Sequence, residues 1–448
     1  MGARPVRAAA GLLLQASPTP TALCSRCLQD ELRLGQALLH ARRYHPSRRK
    51  NASPFGAAVS AAQTLISKGF PKPPPGISVD PLRIVAHELK FLTKNIRKLL
   101  GSGHPMLDKV AKYYTRCAGK HVRPMLVLLM SRATRNPHTP TPASIPVSDP
   151  ISSPMVLSDN NPDMGPLTAP FLDAQYELSD DMEILPAQRR LAEITELIHT
   201  ASLLHDDVID SAITRRSTTS ANLQFGNKMA VLAGDFLLGR ASVALARLRN
   251  PEVTELLSTV VANLVEGEFM QLKNTAQDEP NPMFTEDTIT YYLQKTYLKS
   301  ASLISKSCRA AAVLSNSTPE IVDAAYAYGR NLGLAFQLVD DILDYTISAD
   351  ELGKPAGADL ELGLATAPLL FAWKQNAELG ALVGRKFCQE GDVERAQEIV
   401  ARSDGVEQTR ALAQEYAEKA IGALRDIPES EAKDGLIKMC EKATKRRK

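Results

Sequence analysis

The sequence predicts an all-α protein, because helical periodicity runs through it while strand signals are nearly absent. Apolar residues recur at spacings of three and four from the start of the predicted domain, at Leu82, Val85, Leu89, Leu92 and Ile96. That spacing is the period of an amphipathic helix. Period-two runs bounded by turn residues, which would indicate strands, are rare throughout.

Composition places the chain among ordinary globular proteins. It has 448 residues, of which 44% are hydrophobic and 23% charged, enough for one large domain or two smaller ones. A net charge of +3 gives no indication of nucleic-acid binding, and six scattered cysteines form no disulfide framework. No run approaches about 18 consecutive apolar residues, so we predict no membrane-spanning helix.

The first 50 residues resemble a mitochondrial transit peptide. They carry nine basic side chains against only Asp30 and Glu31, and they are rich in Ala, Leu and Ser. A secretory signal is the main alternative, but the apolar run at 11–14 is short for one; a disordered basic tail is the other. We expect the protein in the mitochondrial matrix, with peripheral association with the inner membrane as an option.

The folded domain is predicted to cover residues 81–448, after a proline-rich linker at 51–80. Asp80 followed by Pro81 is typical of a helix start. Nine prolines between Pro137 and Pro170 interrupt the helical pattern. We interpret residues 136–186 as a disordered insertion, because helical sequence of the same character resumes at Pro186. Further helices are predicted at 188–210, 226–248, 253–272 and 321–346.

Two details of these helices are also predicted. Glu266 and Glu268, in the helix at 253–272, are expected to be surface residues. Lys295 and Thr296 are expected to open a separate Ser- and Ala-rich helix.

Two acidic clusters with one spacing are the strongest functional signal. Asp206, Asp207 and Asp210 stand at i, i+1 and i+4 within an apolar helical segment, and Asp340, Asp341 and Asp344 repeat the arrangement. Carboxylates one helical turn apart repel each other, and a divalent cation removes that repulsion. A single cluster could be a solvated helix face, but two matching clusters favour one multi-metal Mg²⁺ site that binds a diphosphate.

Basic residues near the clusters are candidates for anion binding. Lys120 and Arg123 lie one turn apart at a predicted helix start, and Arg215-Arg216 follow the first cluster closely. Guanidinium groups suit bidentate phosphate contacts, although a solvated basic turn is an alternative for Lys120 and Arg123. Ala201 and Ser202 are small residues one turn before Asp206, where they either leave space in a pocket or allow close helix packing.

In this order, these motifs resemble those of the trans-polyprenyl diphosphate synthase family, over roughly residues 81–448 without the insertion. Together they are highly specific. The leader and the form of the first cluster are most similar to mitochondrial long-chain synthases that make the ubiquinone side chain. The residues that carry the resemblance are Gly119-Lys120-x-x-Arg123, Asp206-Asp207-x-x-Asp210 with Arg215-Arg216, Lys295-Thr296, Phe336-Gln337-x-x-Asp340-Asp341-x-x-Asp344, Gly353-Lys354 and Gly357-x-Asp359-Leu360-x-x-Gly363-x-x-Thr366-x-Pro368.

The resemblance implies an isoprenoid synthase helical bundle around a central active-site cavity. It implies Mg²⁺ held on an allylic diphosphate, farnesyl or geranylgeranyl, by Asp206, Asp210, Asp340 and Asp344, with Asp207 and Asp341 in support. It assigns the contacts to that diphosphate to Arg215, Lys295, Thr296, Gln337 and Lys354. It assigns the binding of isopentenyl diphosphate to Lys120, Arg123, His199 and Arg216.

The implied reaction is repeated head-to-tail addition of isopentenyl diphosphate to the allylic substrate. The resemblance gives Ala201 and Ser202 a role in chain length, since small residues leave a product tunnel open. It also implies a homodimer, or a heteromer with a second synthase-like subunit. Ser217 departs from the family pattern, which has Gly after the Arg pair, and this puts the placement of Arg215 and Arg216 in question.

Three other functions are weighed against this one. A non-catalytic subunit of the same fold tends to lose the aspartates, which are complete here. A terpene cyclase has no need of Lys120 and Arg123 for a second diphosphate. A His-Asp phosphohydrolase, suggested by His199 and His205, requires more histidine ligands than the second cluster offers.

Overall fold

The computed structural model describes residues 80–114, 121–135, 184–215, 218–272, 282–346 and 357–446. The predicted leader, the linker up to residue 79 and the insertion from 136 to 183 lie outside the described residues. So do three predicted site residues, Lys120, Arg216 and Lys354. Ile184 is already buried and a helix begins at Pro186, so the folded chain resumes slightly before the predicted end of the insertion.

The described chain is helical apart from one small hairpin, as the periodicity predicts. Its helices are α1 (Pro81–Ile84), α2 (Ala86–Leu99), α3 (Pro105–Ala111), α4 (Val122–Ala133), α5 (Pro186–Ile209), α6 (Ala221–Phe225), α7 (Asn227–Arg247), α8 (Pro251–Leu272), α9 (Glu286–Thr296), α10 (Ser302–Leu314), α11 (Pro319–Thr346), α12 (Ala358–Glu361), α13 (Ala367–Trp373), α14 (Glu378–Gly384), α15 (Asp392–Arg402), α16 (Gly405–Ala423) and α17 (Glu431–Thr444). The hairpin pairs β1 (Thr214–Arg215) with β2 (Thr218–Thr219), antiparallel. A π-helical turn at Tyr297–Ala301 joins α9 to α10, and a 3₁₀ turn at Leu424–Asp426 follows α16.

Proline and capping residues set where several helices begin. The Asp80 side chain accepts a hydrogen bond from the Leu82 amide at 3.3 Å, and Pro81 occupies the first helical position. Pro186, Pro251 and Pro319 are likewise the first residues of α5, α8 and α11. Proline fits there because the amide it lacks has no helical partner. The predicted starts of these three long helices are therefore confirmed to within about two residues.

The long helices pack around one large apolar core, to which α2, α4, α5, α7, α10, α11 and α17 contribute. A second apolar cluster forms between α9, the end of α11 and the helices from α13 to α16. Helix α10 packs against both α5 and α11, the two helices that carry the acidic clusters. The fold therefore gives the two helices that carry the clusters a common neighbour.

The connection between α9 and α10 differs from the prediction. Lys295 and Thr296 end α9 instead of opening a helix, and the π-helical turn follows them. An added Cβ at Gly333 of α11 would lie 2.6 Å from the Ala301 Cα, and one at Gly267 of α8 would lie 2.9 Å from the Lys299 amide nitrogen. The turn is thus held tightly between α8 and α11.

Helix α7 is the one described helix that is long and apolar enough to cross a membrane by length and composition. Its residues Ala230, Ala233 and Leu237 are completely buried, and the helix packs along α5. A core helix passes the same test of length and composition. We therefore describe α7 as a helix of the bundle.

Candidate active site

The two acidic clusters lie near the C-terminal ends of α5 and α11, and the two helices present them in the same way. The middle carboxylate of each cluster is buried: Asp207 is 0% and Asp341 is 2% exposed. Asp206, Asp210 and Asp340 are half-buried. Each helix therefore directs its middle carboxylate into the protein, and in the second cluster Asp344 is buried as well.

Negative charge is concentrated around the first cluster. The pKa of Asp206 is raised to about 6, chiefly by burial and also by the neighbouring carboxylates of Glu268 and Asp210, while the Lys299 ammonium opposes the rise. Burial also raises the pKa of Asp210, again against the effect of Lys299. The cluster is thus a partly buried anionic site that would bind cations.

Glu268 and Lys299 belong to this site, although the sequence analysis missed both. Glu268 is 8% exposed, so the expectation that it is a surface residue is wrong. Its Oε2 lies 2.5 Å from the Lys299 Nζ, which also donates to Gln271 Oε1 at 3.0 Å. A signal for Lys299 was present, because Lys299-Ser300 repeats the Lys–hydroxyl pair of Lys295-Thr296 one turn later.

The middle carboxylate of the first cluster is satisfied entirely inside the protein. Asp207 accepts hydrogen bonds from the Tyr114 hydroxyl and from Nε of Arg215. The backbone amide of Ala221, the first residue of α6, donates to Asp207 Oδ2 at 3.3 Å and to the Tyr114 hydroxyl at 2.8 Å. Asp207 is therefore held in place by the protein itself, and Arg215 lies beside it.

The second cluster has a matching arrangement around Asp341. The Tyr292 hydroxyl donates to Asp341 Oδ2 at 2.5 Å, and Gln337 Nε2 donates to Oδ1 at 3.0 Å. The amide of Ala367, the first residue of α13, donates to Oδ2 at 3.3 Å. Gln337 also accepts a 2.8 Å hydrogen bond from the hydroxyl of Ser300, in the π-helical turn. Burial raises the pKa of both Asp341 and Tyr292.

Lys295 interacts electrostatically with Asp341 of the second cluster and with Glu268 beside the first. Burial lowers the pKa of its ammonium group, while the carboxylates of Asp341, Asp359 and Glu268 raise it. Its Nζ is 5.5 Å from the centre of the Tyr292 ring. Thr296 is buried and interacts with the Tyr292 hydroxyl. Lys295 and Lys299 together extend positive charge from the second cluster to the first.

The two outer carboxylates of the second cluster contact the C-terminal part of the chain. Asp340 pairs with Arg446, whose guanidinium lies 4.5 Å from the centre of the Phe336 ring. Asp344 is 1% exposed, and its Oδ2 accepts from the Asp359 amide at 3.2 Å. Of the two predicted metal ligands here, Asp340 is the more accessible.

Arg123 and His199 are brought together as predicted. Arg123 Nη1 lies 2.9 Å from His199 Nε2, joining the start of α4 to the middle of α5. Ala201 is completely buried, and Ser202 is half-buried with its hydroxyl donating to the His199 carbonyl at 2.9 Å. Both small residues lie on α5, between His199 and the first cluster.

Comparison with known families shows which family the chain belongs to. The polyprenyl synthetase family model matches residues 167–400, which include both acidic clusters. The chain belongs to the polyprenyl synthetase family.

Known members of this family are similar over nearly the whole chain. A Neurospora crassa protein named as a probable mitochondrial hexaprenyl pyrophosphate synthase is 62% identical, over 95% of this chain and 96% of that protein. The mitochondrial hexaprenyl pyrophosphate synthase of Saccharomyces cerevisiae is 46% identical, over 88% of this chain and 95% of that protein. The decaprenyl-diphosphate synthase subunit 1 of Schizosaccharomyces pombe is 47% identical, over 82% and 91%.

Solved structures of the polyprenyl synthetase family share the fold. A Caulobacter crescentus polyprenyl synthase, solved with calcium and isoprenyl diphosphate, superposes with a TM-score of 0.66 at 28% identity, over 84% of this chain and all of that one. A decaprenyl diphosphate synthase from Rhodobacter capsulatus superposes with a TM-score of 0.65 at 27% identity, over 82% of this chain and 98% of that one. The predicted isoprenoid synthase bundle is confirmed.

The acidic residues fit the Mg²⁺ that the family generally uses. Among the described residues, no group of three or more Asp, Glu, His or Cys side chains is arranged to hold a metal ion by itself. Mg²⁺ commonly takes one or two carboxylates and completes its shell with water and substrate phosphates. Buried Glu268 Oε1 also has no hydrogen-bond partner in the described part of the chain. The clusters therefore suit ions that bind together with a diphosphate.

Proposed function

We propose that this chain is a mitochondrial trans-polyprenyl diphosphate synthase that makes the long prenyl side chain of ubiquinone. One observation supports the proposal above the others. Lys299 interacts with Asp206 of the first acidic cluster and Lys295 with Asp341 of the second, on a chain 62% identical to a probable mitochondrial hexaprenyl pyrophosphate synthase. Alternating anionic and cationic groups suit a diphosphate bound through metal ions.

The residues of the allylic site divide into three roles. Asp206, Asp210 and Asp340 would hold Mg²⁺, with Asp344 as a further ligand if its helix end rearranges, and Arg446 would have to leave Asp340. Asp207 and Asp341 would orient these ligands. Arg215, Lys295, Lys299, Gln337 and Lys354 would contact the diphosphate, with Thr296 and Ser300 near it.

Isopentenyl diphosphate would bind further toward the start of α5, about two turns before Asp206. Arg123 and His199 are already in contact there, and Lys120 and Arg216 are the remaining predicted members of this site. Two diphosphate sites on one helix would bring the substrates together, and holding two reactants in place lowers the entropic part of the barrier.

The chemistry requires charge neutralisation more than a protein nucleophile. Bound Mg²⁺ would neutralise the charge that develops on the departing diphosphate. Lys295, Lys299 and Arg215 would add fixed positive charge beside the leaving oxygen atoms. The double bond of isopentenyl diphosphate then attacks the allylic cation, and a proton is lost to the released diphosphate. Small side chains at Ala201 and Ser202 would leave room for a long product.

The partner in assembly would be a second chain of the same fold, identical or related. Helices α7 and α8 are neighbours joined by a short turn, and together they expose six large apolar residues that we call the α7–α8 face: Met229, Val231, Leu232, Val265, Phe269 and Leu272. Exposed apolar faces of this kind mark protein–protein contacts. The name of the Schizosaccharomyces pombe relative, subunit 1, supports a heteromer as one form.

The proposal is tested by product analysis of the purified full-length chain. With Mg²⁺, farnesyl diphosphate and labelled isopentenyl diphosphate, we expect a ladder that ends in a long polyprenyl diphosphate. Asp206→Ala should abolish it. If the chain alone is inactive, activity restored by mitochondrial extract would indicate a heteromer. Inactivity in both settings would contradict the proposed function.

A further inference from the structure

The two buried aspartates are held by matching sets of contacts from different parts of the chain. We call Tyr114, Asp207 and Ala221 the first anchor, and Tyr292, Asp341 and Ala367 the second anchor. In each anchor the carboxylate accepts from a tyrosine hydroxyl and from the amide that begins a helix. A third donor completes each set, Arg215 Nε in the first and Gln337 Nε2 in the second.

Each anchor joins a helix that carries an acidic cluster to a later part of the chain. The hairpin that carries Arg215 leaves α5 after Ile209 and ends at Ala221, whose amide is bound to Asp207. On the second side, Ala367 begins α13 with its amide bound to Asp341 of α11. Each anchor therefore fixes the start of a later helix, α6 or α13, against the helix that carries an acidic cluster.

The tyrosine of each anchor comes from a separate part of the chain. It belongs neither to the helix that carries the acidic cluster nor to the segment that follows that helix. Tyr114 follows α3 and is 1% exposed, while Tyr292 lies in α9 and is 3% exposed. Burial and the neighbouring carboxylate raise the pKa of both hydroxyls, which keeps them protonated as donors. Without a hydroxyl, a buried carboxylate would lose one of its donors and would no longer be fully satisfied.

We propose that Tyr114 and Tyr292 are paired positioning residues for the prenyl transfer reaction, each fixing the buried aspartate of an acidic cluster against the start of a later helix. This rests on the proposed function, since it assigns the acidic clusters to diphosphate binding. Neither tyrosine touches the reacting atoms; each acts through Asp207 or Asp341. Loss of either hydroxyl should therefore lower the affinity for the diphosphate more than it lowers the stability of the folded protein.

The matched control is a third buried tyrosine. Tyr328 is completely buried in α11, and its hydroxyl donates to the Leu436 carbonyl at 2.9 Å, about 13 residues or 20 Å along the helix from Asp341. Tyr328→Phe removes a buried hydroxyl of the same kind at a distance from both anchors. It should lower the melting temperature without changing substrate binding.

The test compares Tyr114→Phe, Tyr292→Phe and Tyr328→Phe in the full-length protein. Removal of a residue that orients a ligand typically costs about 10- to 100-fold, so the KM for the allylic diphosphate should rise about tenfold in the first two variants and stay unchanged in the third. Amide hydrogen exchange should accelerate at Ala221 in Tyr114→Phe and at Ala367 in Tyr292→Phe.

Two features keep this test decisive. Amide exchange needs no turnover, so an inactive wild-type protein would count against the proposed function while the anchors could still be examined. Each anchor has its own variant, so if one variant fails to fold, the other decides. If the anchor variants lose thermal stability like Tyr328→Phe, with unchanged KM and unchanged exchange at Ala221 and Ala367, the tyrosines are structural only and the proposal is wrong.

Discussion

At the scale of single residues, the first acidic cluster contains more negative charge than its surroundings neutralise. Asp206, Asp210 and Glu268 share the ammonium group of Lys299, and burial raises the pKa of both aspartates. Keeping buried carboxylates ionised costs free energy that other parts of the fold must offset. A bound cation would remove this cost, so the metal-free protein should be less stable than the metal-bound protein.

The Asp206→Asn variant tests this cost in metal-free protein. We expect a higher melting temperature than wild type near pH 8. Because the pKa of Asp206 is about 6 in the folded protein against an ordinary value of 3.8, the cost is full above pH 6 and disappears as the pH falls toward 3.8. The gain should be roughly half as large at pH 5.

Thermal unfolding in EDTA measures this gain at both pH values. Added Mg²⁺ should stabilise wild type and have little effect on the variant, because stabilisation follows binding to the folded state. A variant that is less stable than wild type at pH 8 would show that Asp206 is not under electrostatic strain.

Lys299 is expected to matter for catalysis although the motif pointed to Lys295. Loss of one preorganised group that stabilises developing charge costs about a hundredfold or more, so Lys299→Gln should lower kcat/KM for the allylic diphosphate by about that factor. Lys306→Gln is the control, since Lys306 is one to two turns further along and donates to Thr259 at 2.8 Å. Steady-state kinetics that give equal values for the two variants would contradict a role for Lys299.

At the scale of secondary-structure elements, the π-helical turn is the feature that joins the two clusters. It presents Lys299 toward the first cluster and Ser300 toward Gln337 of the second. π-helical turns are rare and often occur at functional sites. Here the turn is held by close contacts with Gly267 and Gly333.

Gly333→Ala tests the importance of that close contact. The added methyl group would lie 2.6 Å from the Ala301 Cα, so the turn and α11 must move apart. Overpacking of this kind costs about 1–3 kcal/mol, and we also expect a higher KM for the allylic diphosphate because Lys299 and Ser300 move.

Gly422→Ala in α16 is the control for this substitution. Nothing lies within 4 Å of the position of its added Cβ. Alanine favours a helix over glycine by up to about 1 kcal/mol, so this variant should be as stable as wild type or more so. Urea unfolding and kinetics of both variants make the comparison. Equal stability of the two would show that the turn tolerates movement.

At the scale of the whole molecule, the α7–α8 face is a large apolar surface on the described part of the chain. The opposite side of α7 is packed into the core. The helix is therefore apolar on one side for packing within the chain and on the other for the proposed contact with a partner. A monomer would leave Leu232 at 59% and Phe269 at 62% exposure to water. We therefore expect assembly with a chain of the same fold.

The double variant Leu232→Glu and Phe269→Glu tests this assembly. Two carboxylates in an apolar interface cannot be desolvated without cost, so the variant should sediment as a monomer while keeping its helical circular dichroism. Leu82→Glu is the control, because Leu82 is 47% exposed on the short helix α1. An unchanged sedimentation coefficient for the double variant would exclude this face as the interface.

The sequence by itself determined the helical class, the starts of the main helices and the two clusters. Helical periodicity, proline positions and the i, i+1, i+4 aspartates are local patterns, and local patterns can be read without a fold. Glu268 as a site residue, the role of Lys299 and the two anchors came only from the tertiary structure. Tyr114 and Asp207 are 93 residues apart in the chain, and Tyr292 and Asp341 are 49 apart. Such pairs meet only because helices pack, and packing depends on the whole core instead of on neighbours in sequence.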